Sequence, residues 1–185
     1  MLESGARVLY AGVGTGEELA AAIAVGARPT AVDVSEAMLD RARRRLGPDS
    51  RSVGFCCQDI LAHEPALQYD AVVANFFLNA FSVASMPSVL ECLIRLLRTG
   101  GSLLVGDFAP PSENVILATL QRAYYLPPLA LFRILTDNPW HPLYDYRPHA
   151  QRCGLRLTDH RRYRIFGLGP RWLSTLRFVK TAHGS

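Results

Sequence analysis

The chain of 185 residues is short of several things, and each shortage closes a class of answer. No uninterrupted apolar run of about 18 residues occurs, so no segment reads as a membrane-spanning helix. The most apolar stretch, 115–135, is broken by Pro127-Pro128 and carries Arg122 and Arg133. The opening segment 1–6 lacks the basic, apolar and small-residue order of a secretory signal. Cysteine is scarce: Cys56, Cys57, Cys92 and Cys153 fit no metal-ligand spacing and read as buried, reduced thiols of a cytoplasmic protein. Charged residues make up only 19% against 49% hydrophobic ones, which excludes a disordered chain. No repeat and no low-complexity linker divides the sequence, and residues 1–185 are read as a single domain.

The charge that is present is basic but modest. A net +4 is small for a nucleic-acid binder, although Arg41, Arg43, Arg44 and Arg45 cluster and seven more arginines lie between Arg152 and Arg177. Solvated arginines on helix and strand surfaces are the favoured account of them, and a nucleic-acid partner is disfavoured.

Strand and helix patterns alternate from the start. Short apolar runs at 8–11, 30–33, 53–57, 71–74 and 103–106 predict strands; helical patterns lie at 17–25, 35–46 and near 89–97, the last ending at Gly100-Gly101. Ser35 caps the second helix, and Gly47-Pro48 ends it. Strand-helix units with short connections imply a parallel sheet covered on both faces. The runs 155–163 and 172–179 predict a final antiparallel pair at the sheet edge.

Chemistry first shows at the turn after the first strand, in RVLYAGVGTGEE (7–18). Alternate glycines at 12, 14 and 16 let the backbone turn sharply and approach a ligand, and the following helix offers free N–H groups. The dinucleotide fingerprint would need glycine at position 17, where Glu17 would repel a pyrophosphate. The loop therefore suits a ligand that is not a polyphosphate. Asp33, about 20 residues further at the end of the second strand, is placed to accept both hydroxyls of a ribose. Gln58-Asp59-Ile60 follows the third strand, where Asp59 can bind an exocyclic amine and Ile60 can pack on a flat base. These positions together describe a nucleoside carrying a charged arm without phosphate.

At this point the sequence resembles the class I S-adenosylmethionine-dependent methyltransferases. RVLYAGVGTGEE, TAVDVSEAML, CCQDI, YDAVVANFFLNAF and RTGGSLLVGDF are similar to that family's successive motifs, in order and spacing, over residues 7–107. The resemblance implies a Rossmann-like, doubly wound α/β sheet of seven strands, mostly parallel with an antiparallel C-terminal hairpin. It implies that S-adenosylmethionine is the cofactor and S-adenosylhomocysteine the product. Gly12, Gly14 and Gly16 would border its methionine and ribose, Asp33 would bind the ribose hydroxyls, and Val34 and Met38 join the cofactor-binding set. Asp59 and Ile60 would meet the adenine, and Asn75 and Phe76 would lie beneath the sulfonium.

Three departures shape the expectation. Tyr10 stands where the family carries an acidic residue that helps hold the methionine ammonium, so that contact is expected from the phenol or a backbone carbonyl. The family's helices before the first strand are not matched by the six residues here, so either a homodimer, partner chain or further segment supplies the lid or the site is unusually open. The family's signature for methylating base amines is not met by Asn75-Phe76-Phe77-Leu78.

The acceptor is read from residues 108–154, rich in aromatics and stiffened by prolines, which suits a small apolar or aromatic acceptor. Within NPWHPLYDY (138–146), His141 is the candidate base, with Tyr144 or Asp145 to orient it. Asp107 is a second polar contact or a helix cap. The chain as a whole is loosely similar to ubiquinone and menaquinone type C-methyltransferases, with a peripheral membrane contact compatible with such an acceptor. Methylation at carbon or oxygen of a quinone-, phenol- or lipid-like molecule is the leading expectation. RNA or protein methylation and a non-catalytic, nucleoside-binding regulatory subunit are the alternatives. No metal site is expected.

Overall fold

The computed structural model describes residues 3–14, 16–109, 119, 145–164 and 173–182. The first half alternates as expected: β1 (Arg7–Ala11), α1 (Glu17–Ala24), β2 (Arg28–Asp33), α2 (Glu36–Leu46), β3 (Gly54–Cys57), β4 (Tyr69–Asn75) and α3 (Met86–Leu96). Then come β5 (Leu97–Phe108), a short helix α4 (Arg147–Arg152), β6 (Leu155–Tyr163) and β7 (Leu173–Lys180). Single 3-10 turns follow α2, β3 and β4.

The strands form one sheet in the order β3-β2-β1-β4-β5-β7-β6. β1 to β5 run parallel, whereas β7 is antiparallel to both β5 and β6. The strand order reverses between β1 and β4, which opens a crevice at the carboxyl edge, where ligands bind in open α/β sheets. The expected C-terminal pair is present, with β7 inserted inside it and β6 left as the outer strand.

Two elements differ from expectation. The third helix stops at Leu96 rather than running to the glycine pair, and β5 begins at once and runs 12 residues through Gly100-Gly101. Local propensity favours a break at two glycines. The register explains the strand: Tyr69 pairs with Leu97 and Ala71 with Ser102, so the extra residues form an irregularity absorbed by Gly100 at φ +76°. At Gly101 a side chain would sit 2.9 Å from the carbonyl oxygen of Arg98.

Alternation along the strands divides the core between the two faces of the sheet. Val8 and Tyr10 pack with Leu19, Ala22, Leu39 and Ala42 of α1 and α2. Leu9 and Ala11 pack with Val89, Leu90 and Leu93 of α3 and with Ala150 of α4. Lys180 of β7 ties the second layer down by donating to the carbonyls of Ile94 (2.8 Å) and Leu97 (2.7 Å) at the end of α3. The cysteines are not uniformly buried: Cys92 is, Cys56 and Cys153 are half-buried, and Cys57 is exposed.

Candidate functional site

The carboxyl ends of β1, β2, β3 and β4 gather the residues singled out in the sequence. Gly12, Gly14 and Gly16 all have positive φ, at +67°, +54° and +71°. Their surroundings separate their roles. A side chain at Gly12 would overlap the Phe77 ring, and one at Gly16 would put its Cβ 2.7 Å from Cβ of Ala42. Those two glycines permit close packing of the loop on the segment after β4 and of α1 on α2. Gly14 faces open space, so it is the position where bare backbone is offered outward. The Gly12 N–H is tied to the Val32 carbonyl at 2.9 Å, which fixes the loop beside β2.

Asp33 ends β2, and its Oδ1 accepts the Ser35 N–H at 2.9 Å. Oδ2 takes no hydrogen bond among the described residues. Ser35 in turn caps α2, its hydroxyl accepting from the Met38 N–H. Val34 is 73% exposed and Met38 38% exposed beside this carboxylate, an apolar surface with no protein cover among the described residues. Asp59 accepts the Leu61 N–H at 2.9 Å through Oδ1 and so caps the 3-10 turn after β3. Ile60 is enclosed in the core, so the exposed apolar side chain beside Asp59 is Leu61.

At the end of β4, Phe76 is the one described non-glycine residue with positive φ, at +50°. That conformation costs on the order of 1 kcal/mol for a residue with a Cβ. Its N–H donates to the Gly106 carbonyl at 2.7 Å, and its half-exposed ring sits edge-on to Phe108, with centroids 5.3 Å apart. Gly106 leaves room for the Asn75 amide, which a side chain at that position would push aside.

Tyr10, the penultimate residue of β1, is 7% exposed. It is buried on the α1/α2 face, where burial and then the charge of Glu18 push its phenol up to about 12, so it stays neutral. The carboxylate near this point belongs to Glu18, in the first turn of α1, whose Oε1 accepts from Nδ2 of Asn75 at 2.5 Å. From the sequence, Glu18 is a first-turn carboxylate that the dipole of α1 favours. Its position two residues past Gly16, in a helix starting at the carboxyl edge, is the signal that places it beside β4.

Asp107, near the end of β5, is 4% exposed and accepts from Tyr146 Oη (2.5 Å), Asn79 Nδ2 (3.0 Å) and its neighbour's N–H at Phe108 (2.7 Å). Burial outweighs these three donors and raises its carboxyl to about 6. It anchors residues 145–146, where the chain returns to α4, and so is a buried contact rather than an open one. Asp145 is held in a two-pronged pair with Arg147 (2.8 and 2.7 Å), which keeps its carboxyl below the usual range. His141 and Tyr144 lie outside the described residues. His63 is engaged on both ring nitrogens, by Gln58 (2.6 Å) and Tyr69 (2.8 Å), and burial lowers its pKa.

The sheet order, the glycine turn and the acidic residues at successive strand ends define an open α/β domain of the class I methyltransferase type. Residues 8–101 match the methyltransferase domain family, and the chain belongs to it. Among curated relatives, it is 36% identical over 115 residues to the demethylmenaquinone methyltransferase of Clavibacter sepedonicus, a match covering 61% of this chain and 45% of that one. The corresponding enzyme of Tropheryma whipplei is 28% identical over 170 residues, covering 86% and 70%. In the first of these the match spans less than half of the relative's length. The fold is shared with the magnesium protoporphyrin IX methyltransferase of Synechocystis, crystallised with bound S-adenosylhomocysteine: TM-score 0.70, 21% identity, 96% of this chain and 75% of that one. No helix among the described residues is long and apolar enough to cross a membrane.

Proposed function

We propose that the chain binds S-adenosylmethionine along the carboxyl edge of β1 to β4 and transfers its methyl group to carbon or oxygen of a small hydrophobic or aromatic acceptor of quinone type. The observation that carries the binding is the convergence on one edge of Gly14 backbone, the open oxygen of Asp33, Asp59, and the exposed apolar surfaces of Val34, Met38, Leu61 and Phe76. A ribose suits Asp33, an adenine suits Asp59 between apolar side chains, and Glu18 supplies a carboxylate for the ammonium in place of the acid missing at Tyr10. Asn75 orients Glu18 through the bond between them. The cofactor supplies an activated methyl group on a positively charged sulfur. The chain's own share is positioning and exclusion of water, which can supply roughly 7 to 11 kcal/mol in favourable cases. The aromatic pair Phe76 and Phe108 offers an apolar wall beside that position.

The acceptor class is supported by the demethylmenaquinone methyltransferase relatives and by the aromatic content of residues 108–154. As the new bond forms to the acceptor's carbon or oxygen, the carbon–sulfur bond breaks with its pair going to sulfur, and the acceptor's proton must leave. His141 is the proposed base for it, with Tyr144 and Asp145 beside it in sequence.

Calorimetry with S-adenosylhomocysteine tests the reading first. Saturable binding that weakens at least about tenfold in Asp33→Ala, the loss expected when a charged hydrogen-bond partner is removed, supports it. Absence of binding to the wild-type chain refutes it. Transfer of a radiolabelled methyl group to quinols and phenols, and not to RNA, then supports the acceptor class.

A further inference from the structure

We propose a zinc site, separate from the cofactor edge, formed by Glu91 of α3 with His149 and Cys153 of α4 and its terminal residue. A carboxylate oxygen of Glu91, a ring nitrogen of His149 and Sγ of Cys153 all lie within 4.8 Å of one another. The helix explains half of the arrangement: the Cys153 N–H bonds to the His149 carbonyl at 3.1 Å, so the two side chains share one face a turn apart. The packing of α3 against α4 supplies the rest.

The geometry is close to what zinc needs. Bond lengths of about 2.0–2.3 Å around a tetrahedral ion place neighbouring donor atoms roughly 3.3–3.8 Å apart. Nε2 of His149 stands 3.2 Å from Oε1 of Glu91, so one edge of that tetrahedron already exists. The same Nε2 is buried and makes no hydrogen bond, so contact with the carboxylate does not satisfy it. Such an orphaned ring nitrogen is costly unless it has another partner, and a cation is one. Two anionic donors and a neutral imidazole balance a divalent charge, and the mixed oxygen, nitrogen and sulfur set favours zinc over calcium or magnesium. Water completes the fourth position on the side of half-exposed Glu91. Arg152 Nη2 stands 3.5 Å from Nδ1, and zinc on Nε2 requires the proton on Nδ1 and this contact given up.

The cluster precedes β6, which starts where β5 begins and β7 ends, toward the amino edge of the sheet. The glycine loop and Asp33 lie at the other edge. The ion therefore lies away from the cofactor edge and fastens α4, the first described helix after residues 110–144, onto α3.

Cobalt titration of the full chain after chelation tests the site. The expected result is saturation at one ion per chain with a thiolate-to-cobalt charge-transfer band, zinc displacing the cobalt. The band is lost in Cys153→Ser, and affinity falls at least about tenfold in His149→Ala and in Glu91→Gln, the surface change that spares folding if the others do not. S-adenosylhomocysteine affinity stays unchanged in Glu91→Gln, which separates this site from the cofactor edge. Sub-stoichiometric binding, a missing band, or equal affinity in wild type and Glu91→Gln overturns the proposal.

Discussion

At the residue scale, two neighbouring glutamates in one helical turn have different partners. Glu17 pairs with Arg45 of α2 at 3.0 Å, whereas Glu18 faces Asn75 at the end of β4 and raises the Tyr10 phenol. If Glu18 holds the ammonium of the bound cofactor, Glu18→Gln weakens S-adenosylhomocysteine binding by roughly tenfold, since it removes one charge and keeps the shape. Glu17→Gln, which alters the same helix dipole, leaves affinity nearly unchanged. Equal effects of the two substitutions in calorimetry would reduce Glu18 to a dipole contribution. The Tyr10 phenol is neutral and buried, and the carboxylate whose charge reaches it belongs to the next element, α1.

At the element scale, the β1–α1 turn is where ligand geometry and packing meet. Gly16 combines φ +71° with a Cβ position only 2.7 Å from Ala42, so both backbone strain and a clash between α1 and α2 follow from Gly16→Ala. Those costs are about 1–2 and 1–3 kcal/mol, and urea denaturation is expected to show a loss of about 2–5 kcal/mol. Gly14→Ala meets no atom within 4 Å and carries the strain alone, so its stability loss is smaller. A larger loss for Gly14 than for Gly16 would contradict this division of roles. The same scale shows why β5 is longer than its local pattern suggests: helix and strand signals around Gly100-Gly101 act over a few residues, but pairing with β4 continues through them.

At the scale of the whole molecule, Asp107 links β5 to the segment that returns after residues 110–144, through its bond to Tyr146. Its carboxyl is raised to about 6, chiefly by burial, above its ordinary value of 3.8. The folded state therefore holds this proton more tightly than the unfolded chain. The associated stability is fully present below about pH 4 and is lost as pH rises through about 6, on the order of 3 kcal/mol in total. Asp107→Asn keeps an acceptor and removes the titration, so the difference in unfolding free energy between wild type and variant should decline across that window. A flat difference from pH 4 to 7 would show that the three donors compensate the burial.

Much of this architecture was legible in order along the chain. Period-two and helical patterns, the Ser35 cap and the alternate glycines are local signals, and the strands and helices they mark through β4 lie where expected within a few residues. The positions of Asp33 and Asp59 at successive strand ends were legible for the same reason, since each follows directly from the strand before it. Glu18, the neutral burial of Tyr10 and the enclosure of Ile60 were not, because each depends on which face of an element meets a neighbour. Asp107 with Tyr146 is 39 residues apart in the chain, and Glu91 with His149 is 58. The sequence by itself determined the α/β class, the glycine turn and the acidic strand ends, because hydrophobic period and turn chemistry act over a few residues. Only the tertiary structure decided that Glu18 meets Asn75 at the carboxyl edge and that Glu91 meets His149 and Cys153 across two helices, because charge and burial depend on distances the folded sheet sets.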